Sequence, residues 1–253
     1  MSSVLVVIPA RWGSTRLPGK ALADLGGRPL VVRTAEAAAR MVTATEVVVA
    51  TDDPRICEAV SASGLACELT AEHPTGTDRV GEVARRRGPG GPADIVVNLQ
   101  GDEPLLDPAD ADRLVAALRD DPSAAIATAA HPLPGPAAWA DPNVVKVLMD
   151  RAGRALYFSR APIPGAQPDT TATGEGWRHA LRHVGIYAFR RPALDRFLAL
   201  GRGELEQAEG LEQLRALEHG LPIRVVTLSA APVGVDTPAD LERVRALWRA
   251  RHG

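Results

Sequence analysis

The first half of the chain alternates short apolar runs with longer amphipathic stretches. Val4–Ile8, Glu46–Thr51 and Asp94–Leu99 are apolar runs of strand length, far short of a membrane span. Leu65–Leu69 reads as one further short strand. Between these runs, Leu30–Arg40, the segment from Pro54 to Gly64, Thr77–Arg87 and Pro108–Asp120 read as helices. Pro54 suits the first turn of its helix, and the third helix stops in the Gly88–Pro92 loop. Strand and helix in strict alternation, with strands apolar on both faces, predict an α/β fold around a mostly parallel, right-handed sheet.

From about Ala124 the rhythm changes. Ala124–Ala130, Val144–Met149, Ala155–Ser159 and Arg182–Phe189 read as strands without full helices between them, which predicts an antiparallel or mixed region. Gly165–Gly176 is polar and rich in Gly and Thr, the composition of a long loop near a site. Helices return at Pro192–Leu200 and Leu205–His219, Ile223–Leu228 is a last strand, and Pro238–Arg251 a closing helix. No internal repeat or low-complexity tail interrupts this order.

Composition narrows the function classes. A chain of 253 residues suits one large α/β domain, or one with a small appendage. A net charge of −2 with scattered basic residues argues against nucleic acid as the main partner. The N-terminal apolar run has no basic segment before it and leads straight into Arg11, unlike a secretory signal, so a cytoplasmic location is expected. Cys57 and Cys67 lack neighbours at zinc-site spacing and read as small, reduced, apolar residues.

The candidate chemistry lies at strand ends, where open α/β sheets bind ligands. The richest place is Arg11–Lys20, directly after the first strand, with two Gly, two hydroxyls, two Arg and one Lys. Glycine admits close backbone approach and fixed cations supply charge, the means of holding a polyphosphate. Arg11, Ser14 and Lys20 are the candidate phosphate ligands, with Lys20 folded back past the Pro18-Gly19 turn. The loop lacks both the dinucleotide glycine fingerprint and the P-loop pattern.

Gln100-Gly101-Asp102-Glu103-Pro104 follows another strand. Asp102 there suits a Mg²⁺ ligand, since Mg²⁺ takes one or two carboxylates plus phosphate oxygens. The alternative, a helix cap, is better filled by Asp107, next to Pro108. Asp236, beside the capping residue Thr237, is either a second cap or a second carboxylate for the metal. Arg79 serves either a helix surface or a ligand. In the second half, His183 and Tyr187 are four apart on one strand and share a face. With Arg160 and Gln213 they suit an acidic, hydroxyl-rich ligand.

Taken in order, the segments IPARWGSTRLPGKAL, VVVATDD, PTGTDRVGEV, VVNLQGDEP, NVVKVLMD, ALYFSRAPIP, LRHVGIYAF, LEQLRALEHG and VGVDTPADLERVR resemble the 3-deoxy-manno-octulosonate (Kdo) cytidylyltransferase family. The resemblance runs from residue 4 to about 245. The first loop and QGDEP are shared with sialate-activating relatives, whereas YFSR, RHxGIY and LEQLR are more specific to the Kdo branch.

The resemblance implies a three-layer, Rossmann-like nucleotide-diphospho-sugar transferase fold in a single domain, with a mixed β/α subregion at about 131–220. That subregion would serve sugar binding and homodimer formation. The resemblance also implies CTP, Mg²⁺ and an eight-carbon keto acid. By motif, Arg11, Ser14 and Lys20 would hold the triphosphate, and Arg79 and Gln100 the cytidine. Asp102 and Asp236 would bind Mg²⁺, and Arg160, His183, Tyr187, Glu212 and Gln213 the sugar. Departures from the pattern are Trp12-Gly13 in place of an aromatic followed by Ala, Asp78 in place of Glu, and no Trp after Ile163-Pro164.

Overall fold

A computed structural model describes residues 3–14, 16–88, 93–165, 176–230 and 232–252. The chain forms two compact units, Met1–Val115 with Pro232–Gly253, and Ala116–Ala231. The second is thus an insertion within the first.

In the first unit, β1 (Ser3–Ala10), α1 (Leu30–Ala38), β2 (Glu46–Thr51), α2 (Pro54–Ala62), β3 (Cys67–Leu69), α3 (Gly76–Arg86) and β4 (Ala93–Asn98) alternate as the apolar pattern predicts. Here β1 pairs with both β2 and β4 in parallel, and β2 with β3 in parallel. Parallel strands need helical crossovers, which cover both faces; Val4 to Ile8 are accordingly buried to within 1%. Because the strands run the same way, the residues after Ala10, Thr51 and Asn98 emerge along one edge.

Local chemistry sets the helix starts. Asp53 caps α2 through a 3.0 Å bond from Arg55 N, with Pro54 behind it. For α3 the cap is Thr75, whose Oγ1 accepts from Asp78 N at 3.1 Å. Thr77, the first residue read as helical from the sequence, lies two positions beyond that cap and is buried. One glycine is imposed by packing: a Cβ on Gly101 would sit 3.0 Å from Pro9 O, so the turn after β4 can lie against the end of β1 only without a side chain.

The chain continues with α4 (Pro108–Asp120), which runs past residue 115 into the second unit. That unit holds β5 (Ile126–Pro132), α5 (Pro136–Ala140), β6 (Lys146–Met149), β7 (Ala155–Ser159), β8 (Leu181–Arg190), α6 (Arg191–Ala199), α7 (Glu204–Glu209), α8 (Gln213–Glu218) and β9 (Ile223–Thr227). Its pairing is mixed: β5 is parallel to β9 and antiparallel to β8, and β6 is antiparallel to both β7 and β8. The expected change of rhythm after Ala124 is this switch to hairpin pairing.

The helix expected over Leu205–His219 is broken in two. Gly210 takes a left-handed φ of 62° and Leu211 N returns to Glu206 O, a helix stop that overrides the apolar period. The short α5 was not expected. Most of the Gly165–Gly176 loop and of the Gly88–Pro92 loop lies outside the described residues. Finally α9 (Pro238–His252) belongs to the first unit, where Val235, Leu241 and Val244 join Leu25, Leu30 and Leu105 in one apolar cluster.

Candidate active site

The Arg11–Lys20 loop is folded on its own backbone. Trp12 O accepts from Ser14 N at 2.9 Å and from Gly19 N at 3.4 Å. Gly19, at φ 69°, turns the chain into a 3-10 turn over Lys20–Leu22. The Trp12 ring lies against Gly19 and carries the Arg55 guanidinium 3.5 Å from its centroid.

This fold directs Lys20 inward. Its Nζ donates to Asp102 Oδ2 at 2.5 Å, to Val235 O at 2.8 Å and to Asp236 Oδ1 at 3.3 Å. Arg16 pairs with the other oxygen of Asp236 at 3.3 Å. The segment bearing Asp236 is held in place by Val235 N, which donates to Asp102 O at 2.9 Å. Thr237 caps the following helix through Asp240 N. The cap is therefore supplied by Thr237, and the Asp236 carboxylate faces the two cations.

These residues open onto a polar cavity of about 210 Å³. Arg11, Ser14, Arg16, Lys20, Gln100, Asp102 and Asp236 line it over a floor that includes Pro9, Ala10 and Leu30. Six of the residues expected from sequence thus meet at one place. Arg11 is exposed and has no hydrogen-bond or ion-pair partner among the described residues. Arg16 joins the wall and was not singled out in the sequence, although it sits within the loop. Arg79 does not line the cavity. It is 4% exposed and donates to Thr70 Oγ1 at 2.5 Å and Asp52 Oδ2 at 2.7 Å, bracing the end of β2.

As donors to a divalent cation the cavity offers oxygens, above all the carboxylates of Asp102 and Asp236. Among the described residues no group of three or more His, Cys, Asp or Glu is placed to hold a metal by itself. That donor set fits Mg²⁺, which completes its shell with water and substrate phosphate.

The other expected residues lie in the second unit. Tyr187 donates to Gln213 Oε1 at 3.2 Å, and the His183 ring lies 5.6 Å from that of Tyr187, confirming their shared face. Gln213 is 6% exposed, and its Nε2 has no partner among the described residues. A buried amide donor left unpaired is costly unless a ligand accepts from it. Burial, reinforced by the charge of Glu212, raises the Tyr187 pKa and keeps the phenol protonated.

Arg160 is fixed at the end of β7 by Glu209, which accepts from its main-chain N at 2.9 Å through a carboxylate oxygen and from its Nε at 2.9 Å through the main-chain carbonyl. The sequence reading missed Glu209. It lies beside the helix-ending Gly210, with no local signal pointing to a residue 49 positions away.

Desolvation lowers the His183 pKa from 6.5 to about 3. The ring is therefore neutral in the folded chain, with Nε2 2.9 Å from Thr128 Oγ1. The unfolded chain takes up a proton near 6.5 that the folded chain refuses, so His183 lowers stability progressively as pH falls from about 6.5 towards 3. Melting temperatures at pH 7.5 and 5.0 should show a smaller acid loss in His183→Asn than in the parent. An equal loss in both would assign the acid sensitivity elsewhere.

The cytidylyltransferase family profile matches residues 5–224. The structure of a CMP:2-keto-3-deoxy-manno-octonic acid synthetase complexed with CTP is 45% identical over 99% of this chain and 100% of that one, with a TM-score of 0.90. Two more distant structures share the fold. A cytidylyltransferase from Leptospira borgpetersenii serovar Hardjo-bovis is 18% identical over 97% of this chain and 86% of its own, with a TM-score of 0.64. The 4-diphosphocytidyl-2C-methyl-D-erythritol synthase of Anaerococcus prevotii is 12% identical over 98% and 96%, with a TM-score of 0.65.

Proposed function

The chain belongs to the cytidylyltransferase family, and on that premise we propose that it activates Kdo, converting CTP and the sugar acid into CMP-Kdo and diphosphate. The C2 anomeric hydroxyl attacks the α-phosphorus of CTP in line. The new C2–O–P bond forms as the bond between the α-phosphorus and the bridging oxygen breaks, diphosphate leaves with that oxygen, and the hydroxyl proton passes to solvent. No covalent enzyme intermediate is required, so the work of the protein is placement and charge.

Arg11, Ser14 and Lys20 hold the triphosphate. Gln100 faces the cavity and recognises the cytidine, with Arg79 bracing the adjoining strand end through Asp52 and Thr70. Asp102 and Asp236 would hold Mg²⁺, which supplies charge for the phosphate oxygens. Arg160 takes the sugar carboxylate, and His183, Tyr187, Glu212 and Gln213 its hydroxyls. The unpaired Gln213 Nε2 supports the last assignment.

The enzyme is a homodimer of the cytoplasm in this reading; no helix among the described residues is long and apolar enough to cross a membrane. In a cell that makes lipopolysaccharide, the product feeds its assembly.

The observation that carries the proposal is the Lys20–Asp102–Asp236 cluster on a cavity that also presents an unpaired Arg11. Diphosphate release tests it. Release with CTP, Mg²⁺ and Kdo is expected, and none with ATP, GTP or UTP or without metal. Release with sialate and not with Kdo would overturn the sugar assignment, and silence with every sugar acid the activity.

A further inference from the structure

Lys146, on β6, is 0% exposed and is among the largest fully buried side chains of the described residues. An ammonium carries three donors. All three are used on main-chain carbonyls: Asp141 O at 2.9 Å, Val144 O at 2.6 Å and Arg160 O at 2.5 Å. No carboxylate bonds to it among the described residues. A cation buried at such desolvation cost, where an apolar residue would fill the same space, calls for a role beyond packing.

The three carbonyls belong to two pieces of chain. Asp141 and Val144 flank Pro142, whose own carbonyl accepts from Arg160 Nη1 at 3.1 Å. The third carbonyl is that of Arg160 itself. Lys146 therefore ties the residue that carries the guanidinium to the segment that receives it. The strand register supports this, since Lys146 pairs directly with Ser159. From the opposite side, the Glu209 carboxylate accepts from Ser159 Oγ at 2.6 Å and from Arg160 N at 2.9 Å.

The Arg160 guanidinium is thus oriented by two neutral carbonyls, those of Glu209 and Pro142. No carboxylate neutralises it among the described residues. An aimed, uncompensated guanidinium is suited to a carboxylate ligand.

We propose that Lys146, with Glu209 opposite, is the positioning pair that aims Arg160 at the carboxylate of the acceptor sugar. Its kinetic consequence rests on the reading above, in which Arg160 takes that carboxylate.

Lys146→Met and Glu209→Gln are each compared with Arg160→Ala and with the corresponding double variants. The KM for the sugar acid should rise about ten- to hundredfold while the KM for CTP holds within about twofold, the loss expected from misplacing one binding group. In the Arg160→Ala background neither change should cost anything more, because the pair acts through that residue. The Nε–H proton resonance of Arg160, assigned by its loss in Arg160→Ala, should be slow to exchange in the parent and shifted or fast in both positioning variants.

Additive losses, an equal rise in both KM values, or an unmoved Nε–H resonance would overturn the proposal. Should Lys146→Met fail to fold, the partly exposed Glu209→Gln carries the same test. Should the parent turn over no sugar acid, the activity reading fails, and the Nε–H resonance alone decides whether the pair positions Arg160.

Discussion

Asp102→Asn should lower turnover by about a hundred- to thousandfold, the loss seen when one preorganised charge-stabilising group is removed, and leave the fold intact. The substitution keeps the shape and removes the charge. Asp102 is partly exposed, its main-chain carbonyl goes on accepting from Val235 N, and Lys20 keeps Asp236 as a partner at 3.3 Å. A melting temperature close to the parent's, with kcat collapsed, is the expected pair of results. Turnover near the parent's would remove Asp102 from the chemistry and leave it a partner of Lys20 alone.

The largest stability effect is expected in the second unit, at Glu206. Arg215 grips its carboxylate with both arms, Nε to Oε2 at 2.7 Å and Nη2 to Oε1 at 2.6 Å, and the two side chains are 7% and 5% exposed. The guanidinium also lies 4.6 Å from the centroid of Phe197. Glu206→Ala takes that carboxylate away from a buried cation, which costs about 3–5 kcal/mol. At this chain size the melting temperature should fall by roughly 10 °C. Glu206→Leu combined with Arg215→Met should recover most of the loss, because an apolar pair of similar volume needs no desolvation. A Glu206→Ala variant as stable as its parent would mean that water reaches the guanidinium.

What the sequence disclosed follows the range of each interaction. The parallel strands were legible because burial on both faces leaves continuous apolar runs, and α2 because Asp53-Pro54 is a local start signal. The gathering of Arg11, Ser14 and Lys20 on one cavity was legible because these residues lie within ten consecutive positions. The break at Gly210 has a local signal too, but the apolar spacing on either side conceals it.

Lys146 and Glu209 show the opposite limit. A lysine within VVKVLM reads as an exposed strand position, and only the arrival of carbonyls from residues 141 and 160 makes it an interior residue. Arg79 is a second long-range case, its side-chain partners Asp52 and Thr70 directly following β2 and β3. Contacts made by backbone carbonyls leave no trace in residue identity, so they are the part of a site that sequence discloses least.

The return of the last segment to the first unit has a consequence for biosynthesis. Asp102 and Asp236 are separated by more than half of the 253 residues, with the whole inserted unit between them. A ribosome emits the phosphate-binding loop and Asp102 early, while the carboxylate that completes the cluster emerges only near the end. Unfinished chains, and chains clipped before Pro232, therefore carry the Arg11–Lys20 loop without the second carboxylate of the cluster. With Asp236 in its proposed role of holding Mg²⁺, such fragments are expected to turn over no CTP, and activity arrives only once the segment from Pro232 onward has been made.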